Sequence, residues 1–231
     1  MNFHGFYKST LLDYPKHLAA TVFSGGCNMR CPFCHNASLV LRPHTQPEIP
    51  QEEILNYLRK RKNILEGVCI TGGEPTIYPD LPLFISQIKE IGLKVKLDTN
   101  GTNPAVIKRL TEQNLIDYIA MDIKNSPEKY ALTSGNSAIP IDNINESISL
   151  ILSGKTDYEF RTTIVGELHT QADMESIGNW IRGAKAYYLQ SYTDSGDVIY
   201  PGFTSPDKET LYRYKEILSA YVEFVDIRGA V

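Results

Sequence analysis

The stretch Ala19-Ala20-Thr21-Val22-Phe23-Ser24-Gly25-Gly26-Cys27-Asn28-Met29-Arg30-Cys31-Pro32-Phe33-Cys34 decides how this chain is read. An apolar, β-branched run passes through two glycines into three cysteines. The run predicts a buried strand over Ala19–Ser24. The cysteines follow the spacing C-x3-C-x2-C, and thiolates are soft anionic ligands suited to iron–sulfur clusters or zinc. A structural zinc needs a fourth ligand, for which His35 or His44 could be proposed. Three thiolates would instead leave one iron of a cubane cluster open to a substrate. The fourth cysteine, Cys69, stands alone in an apolar run and reads as a small buried hydrophobe.

Outward from this stretch the pattern alternates from end to end. Strands are predicted over 19–24, 68–71, 93–98, 117–123, 158–165, 186–190 and 222–227. Helices are predicted over 51–62, 81–91, 104–113, 144–153, 172–182 and 206–221. Pro50 opens the first helix, and Gly92 and Gly154 close two others. Alternating strands and helices make right-handed βαβ units and a parallel sheet. The fold class is therefore α/β, an open (β/α)6 partial TIM barrel, with chemistry at the C-terminal ends of the strands. One domain over 1–231 is expected, with segment 1–18 and strand 222–231 as extensions.

Composition narrows the function. Lys and Arg number 23 against 27 Asp and Glu, a net charge of −4, so no overall case exists for nucleic acid or acidic lipid. Residues 1–18 lack the apolar core of a signal peptide, and no apolar run is long enough to span a membrane, so the expected location is cytoplasmic. Clustered cysteines without an export signal point to metal or redox chemistry rather than disulfides.

Each later strand ends in a candidate motif. Thr71-Gly72-Gly73-Glu74-Pro75 follows the second strand, where two glycines admit a ligand close to the backbone and free N–H and C=O groups could bind a zwitterion. Asp98-Thr99-Asn100-Gly101 follows the third and also reads as a simple turn. Met121-Asp122-Ile123-Lys124 ends the fourth, with Asp122 and Lys124 on one side of the strand. Arg161 lies in the fifth and could pair with Asp122 or approach a ligand.

The cysteine spacing after the first strand, with Phe33 just before Cys34 and Gly-Gly-Glu one unit later, resembles the radical S-adenosylmethionine superfamily. That resemblance implies a [4Fe-4S] cluster on Cys27, Cys31 and Cys34 as the catalytic centre. It also implies S-adenosyl-L-methionine chelating the open iron, and its reductive cleavage to methionine and a 5′-deoxyadenosyl radical. Phe33 would lie near the adenine, and Gly72, Gly73 and Glu74 at the methionine amino group. The 98–101 and 121–124 segments are similar to those of glycyl-radical-enzyme activases such as the pyruvate formate-lyase activating enzyme. By that likeness Asp98, Thr99 and Asp122 would hold a monovalent cation, Na+ or K+, with Asp122, Lys124 and Arg161 at the cofactor. Related activases carry a histidine beyond the sixth strand, where this chain has Gln190 and Tyr192.

Ser9-Thr10-Leu11-Leu12-Asp13-Tyr14-Pro15, Cys34-His35-Asn36 and 187–190 look like the compact activating proteins of anaerobic ribonucleotide reductase. The implied partner is that glycyl radical enzyme, whose glycine Cα would lose a hydrogen atom, with a flavodoxin or ferredoxin-type electron donor. Alternatives are activation of another glycyl radical enzyme such as pyruvate formate-lyase, or small-molecule chemistry like that of 7-carboxy-7-deazaguanine synthase. The loop over 191–205 is expected at the partner-docking rim.

Overall fold

The structure, a computed structural model, describes residues 1–229. Its strands are β1 (Phe3–Thr10), β2 (Ala19–Ser24), β3 (Gly67–Gly72), β4 (Lys94–Thr99), β5 (Tyr118–Asp122), β6 (Asp157–Ile164), β7 (Tyr187–Ser191) and β8 (Val225–Arg228). They form one sheet in the order β1 to β8, parallel from β2 onward. No pairing joins β8 back to β1 among the described residues, so the barrel is open along one side. Helices α1 (Ala37–Leu41), α2 (Gln51–Arg61), α3 (Leu81–Ile91), α4 (Pro104–Glu112), α5 (Tyr130–Ser134), α6 (Ile141–Leu152), α7 (Gln171–Trp180) and α8 (Lys208–Leu218) fill the crossovers. None is long and apolar enough to cross a membrane.

Period-two alternation divides the sheet into two unlike faces. Outward residues such as Val22, Ile70, Leu97, Met121, Phe160 and Leu189 pack with the helices into the apolar core. The inward row is polar: Thr21, Cys69 and Lys96 lie side by side on β2, β3 and β4, and Asp122 pairs with Arg161 across β5 and β6. Helix ends follow local chemistry. Gly92 closes α3 in the left-handed region at φ 94°, its N–H bonded to the Ile88 and Lys89 carbonyls. Thr170 and Asp173 form a reciprocal capping box that starts α7.

Several boundaries differ from the sequence reading. Phe3–Thr10, expected within an extension, is an edge strand antiparallel to β2. Its residues are mostly half-buried or exposed, so no clear alternation marks it. Helix α8 begins at Lys208 rather than 206 because the Asp207 side chain accepts the Thr210 N–H at 2.7 Å and fixes the start. The last predicted strand shortens to Val225–Arg228, and residues 230 and 231 of the expected extension lie outside the described residues. Arg228 secures this strand inside the barrel, bidentate to the fully buried Glu159 at 2.7 and 2.8 Å and 3.3 Å from the Tyr188 ring.

Candidate active site

The cysteine loop leaves β2 at Gly25 and is held from four directions. From β3, the Gly73 and Glu74 N–H groups donate to the Ser24 and Gly26 carbonyls at 2.8 and 2.9 Å. After β4, Asn100 Nδ2 donates to Asn28 Oδ1 at 2.8 Å, and Asn28 in turn donates to the Thr102 hydroxyl at 2.7 Å. Helix α5 receives the Arg30 N–H on the Ser134 carbonyl at 2.9 Å. A Cβ on Gly135 would come within 2.0 Å of the Arg30 carbonyl, so only glycine permits this approach. The loop between β7 and α8 supplies the fourth hold: Tyr200 N–H donates to the Pro32 carbonyl, and Asp197 accepts from the Ser38 N–H and hydroxyl.

These contacts correct one expectation. The N–H groups of Gly73 and Glu74 do not face the cavity; they clamp the cysteine loop to β3. A Cβ on Gly73 would meet the Gly26 carbonyl at 1.8 Å, so glycine is required here for chain-to-chain contact. Glu74 is fully buried. Its Oε1 accepts from Thr76 N–H (3.0 Å), the Thr76 hydroxyl (2.5 Å) and the Thr99 hydroxyl (2.8 Å), and its Oε2 from Asn100 N–H (2.6 Å). Burial pushes this carboxyl above its ordinary range while the four donors oppose that shift. Glu74 thus joins the β3 and β4 loops.

The inner face carries a continuous charge ladder. Lys96, almost fully buried, bonds Asp98 Oδ1. Arg161 bridges the two carboxylates, Nη2 to Asp98 Oδ2 at 3.0 Å and Nε to Asp122 Oδ1 at 2.5 Å. Lys124 Nζ meets Asp122 Oδ2 at 2.9 Å. Burial disfavours the ionised acids, but Arg161 with Lys124 holds Asp122 well below the usual carboxylate range, and Arg161 with Lys96 depresses Asp98. Desolvation likewise opposes the charge on Lys124, which Asp122 outweighs. His169, neutral by burial, accepts Val165 N–H on Nδ1 at 3.1 Å and donates from Nε2 to the Lys124 carbonyl at 3.0 Å.

The residues that the superfamily resemblance assigns to the site line one cavity of about 370 Å3 at the C-terminal ends of the strands: Cys27, Cys31, Phe33 and Cys34, then Gly72, Gly73 and Glu74, then Asp98, Thr99, Asp122, Lys124 and Arg161. His35 and Gln190 line it too, whereas His44 sits exposed in a separate 3-10 turn. Tyr192 is buried with its hydroxyl unpartnered among the described residues and does not line the cavity. Cys69 is fully buried on β3, 3.8 Å from the Lys96 ammonium. Sequence reasoning missed Asn28, Lys96, Asn100, His169 and Asp197. Asn28 and Asn100 lie inside the cysteine and 98–101 motifs and Asp197 in the long loop, whereas Lys96 and His169 had no local cue.

The donor set fits an iron–sulfur cluster. All four cysteines are free thiols, and three share one cavity wall. Burial pushes the Cys27 thiol up to about 11 and the Cys31 thiol up to about 12, so a metal must drive their deprotonation. Among the described residues no three His, Cys, Asp or Glu side chains gather about a single ion. A cubane takes each thiolate at a separate iron, so its ligands need not converge on one point.

Comparison with known proteins places this site in a family. A protein of Methanocaldococcus jannaschii assigned as a glycyl-radical enzyme activating enzyme is 33% identical over 97% of this chain and 94% of its own. The 7-carboxy-7-deazaguanine synthase of Thermoplasma acidophilum is 30% identical over 60% of this chain and 63% of its own. The pyruvate formate-lyase-activating enzyme of Listeria monocytogenes is 30% identical over 52% of each. In fold, the chain superposes on Streptococcus suis SuiB with TM-score 0.72 and 16% identity, over 90% of this chain and about half (48%) of SuiB. The profile of the Radical SAM superfamily matches residues 21–181, and with cysteine loop, glycine clamp and charge ladder in one cavity, the chain belongs to that superfamily and is related to the glycyl-radical-enzyme activating enzymes.

Proposed function

We propose that this protein activates a glycyl radical enzyme by removing one hydrogen atom from the Cα of a partner glycine. The observation that carries this reading is the near full-length likeness, at 33% identity, to a protein assigned as a glycyl-radical enzyme activating enzyme. Cys27, Cys31 and Cys34 would hold the cluster, leaving one iron for the methionine end of S-adenosylmethionine. Bound together, cluster and cofactor supply one-electron cleavage and a carbon radical able to abstract hydrogen. The cofactor ammonium only donates, so carbonyl oxygens of the Gly72-Gly73 turn would accept it, that of Gly72 alongside Asn36 Nδ2 at 3.2 Å. Lys124 and Arg161 would set the potential for its carboxylate, and Phe33, buried beside the cysteines, would exclude water. The unpaired gap between β8 and β1 would admit a glycine-bearing segment.

The comparisons support activation in general more than anaerobic ribonucleotide reductase in particular. An activating enzyme of pyruvate formate-lyase is among the relatives, so a partner of that kind is supported at least as well. Small-molecule chemistry is the second reading, favoured by the 30% identity to the deazaguanine synthase. The test is anaerobic: reduced, reconstituted protein with S-adenosylmethionine and either candidate partner, read by electron paramagnetic resonance. A glycyl doublet on one partner supports the reading and identifies it. Cofactor cleavage without a doublet on any candidate sinks it while leaving the radical chemistry intact.

A further inference from the structure

The resemblance to activases implies a monovalent cation on Asp98, Thr99 and Asp122, and the charge ladder does not fit one. Each of the four carboxylate oxygens already faces a protein cation: Lys96 and Arg161 on Asp98, Arg161 and Lys124 on Asp122. The Thr99 hydroxyl donates to Glu74 at 2.8 Å and accepts the Gly101 N–H at 3.2 Å. In charge the ladder runs plus, minus, plus, minus, plus. Three cations against two anions leave the ladder itself one unit positive, which the carboxylate of Glu74 beside Thr99 balances. No ladder oxygen is left bare, so Na+ or K+ could bind there only by displacing a protein cation.

Lys96 is the residue that tips this balance. It projects from β4 into the barrel, two residues before Asp98, and is 2% exposed, so its ammonium has left water for this one carboxylate and the nearby Cys69 sulfur. Buried lysines are found paired because an isolated buried charge is costly. Without Lys96, Asp98 Oδ1 would be an uncovered anionic oxygen at the cavity floor, beside Thr99. That is the environment a Na+ or K+ ion selects, with hard oxygen donors and net negative charge.

We propose that the Lys96 ammonium stands in for the monovalent cation, so that this protein binds S-adenosylmethionine without Na+ or K+. Lys96 is a positioning residue, acting on the cofactor through Asp98 and Arg161. The inference rests on the superfamily's cofactor and not on the identity of any partner.

The test is cofactor affinity of the anaerobically reconstituted protein, by calorimetry, in tetramethylammonium chloride and then with K+ or Na+ at constant ionic strength. Wild type should hold its Kd within about twofold across all three salts. Lys96→Met should bind about tenfold more weakly in tetramethylammonium and recover most of that loss with K+ or Na+. Lys96→Arg should keep the wild-type indifference. A merely structural lysine would not produce ion-specific recovery. Wild-type affinity that tightens about tenfold with K+ or Na+ overturns the proposal. So does a methionine variant that binds like wild type in tetramethylammonium. If that variant fails to fold, the wild-type salt series and the arginine variant decide the matter. A protein that takes up no S-adenosylmethionine in any salt removes the cofactor reading along with this one, and no arm bears on the glycyl radical partner.

Discussion

Replacing Glu74 by Gln removes one charge and leaves the side-chain volume nearly unchanged, so it isolates the clamp between the β3 and β4 loops. The carboxylate has three donors on Oε1 and the Asn100 N–H on Oε2. The amide will place its oxygen where three donors converge, which sets its NH2 against the Asn100 N–H. One charge-assisted bond is lost and a buried N–H is left facing another donor, together costing about 2–4 kcal/mol. With a urea slope of about 2–3 kcal/mol per M, the unfolding midpoint of the metal-free chain should fall by about 1 M at unchanged slope. Glu74→Leu should be worse still. The two threonine hydroxyls can turn to other acceptors, but the Thr76 and Asn100 N–H groups cannot. Circular dichroism in urea, under reductant and without oxygen, measures both variants. A midpoint within about 0.2 M of wild type for Gln, with Leu no worse, would falsify the clamp, because the carboxyl would then not be held ionised by these donors.

Other outcomes follow from the same contacts. Gly73→Ala places a Cβ 1.8 Å from the Gly26 carbonyl, so the cysteine loop must move off β3. Anaerobic reconstitution should then give a marked deficit of iron per chain, and normal iron loading would contradict the close approach. Asp197→Ala removes the carboxylate that holds the Ser38 N–H and hydroxyl, so hydrogen exchange over 35–41 should quicken while the sheet stays protected. Equal exchange in both proteins would show that the loop contributes no restraint. His169 has its pKa lowered by burial, so the unfolded chain takes up the proton first. Its contribution to stability is complete above the unfolded value, about 6.5, and is lost as pH falls below it toward the folded pKa. His169→Gln should therefore flatten the stability curve just below about pH 6.5, by at most the one-proton slope of about 1.4 kcal/mol per pH unit, and an unchanged slope would place the titration elsewhere.

What the sequence revealed, and what it hid, divides along the distance over which each feature is determined. Helix α3 was legible because its signals are local, with apolar residues on one face and Gly92 as a left-handed cap. The strand-end motifs were legible because topology carries every βα loop to one rim, so Asp98, Asp122 and Arg161 had to share a cavity once the strands were placed in order. Strand β1 was hidden because Tyr7, Lys8 and Ser9 are exposed on a sheet edge, where little apolar patterning is needed. The direction of the Gly73 and Glu74 N–H groups was hidden too. Nothing in Gly-Gly-Glu tells that the acceptors are carbonyls nearly fifty residues earlier, and the turn reads equally well as a ligand cradle. Lys96 sits between Val95 and Leu97 in a strand that also carries Lys94 and Asp98, and only the position of Arg161 on β6 shows it to be the end of a ladder.

The hold of Asp197 on Ser38 spans 159 residues of chain. The thiols are made early in synthesis and this brace late, so at about 5–20 residues per second the nascent loop waits roughly 8–32 s for it. During that interval the anchors from β3, β4 and α5 arrive in turn, each narrowing the freedom of three bare cysteines. The order in which the chain is written thus sets the order in which the loop around the three cysteines is fixed, with the brace from Asp197 the last to close.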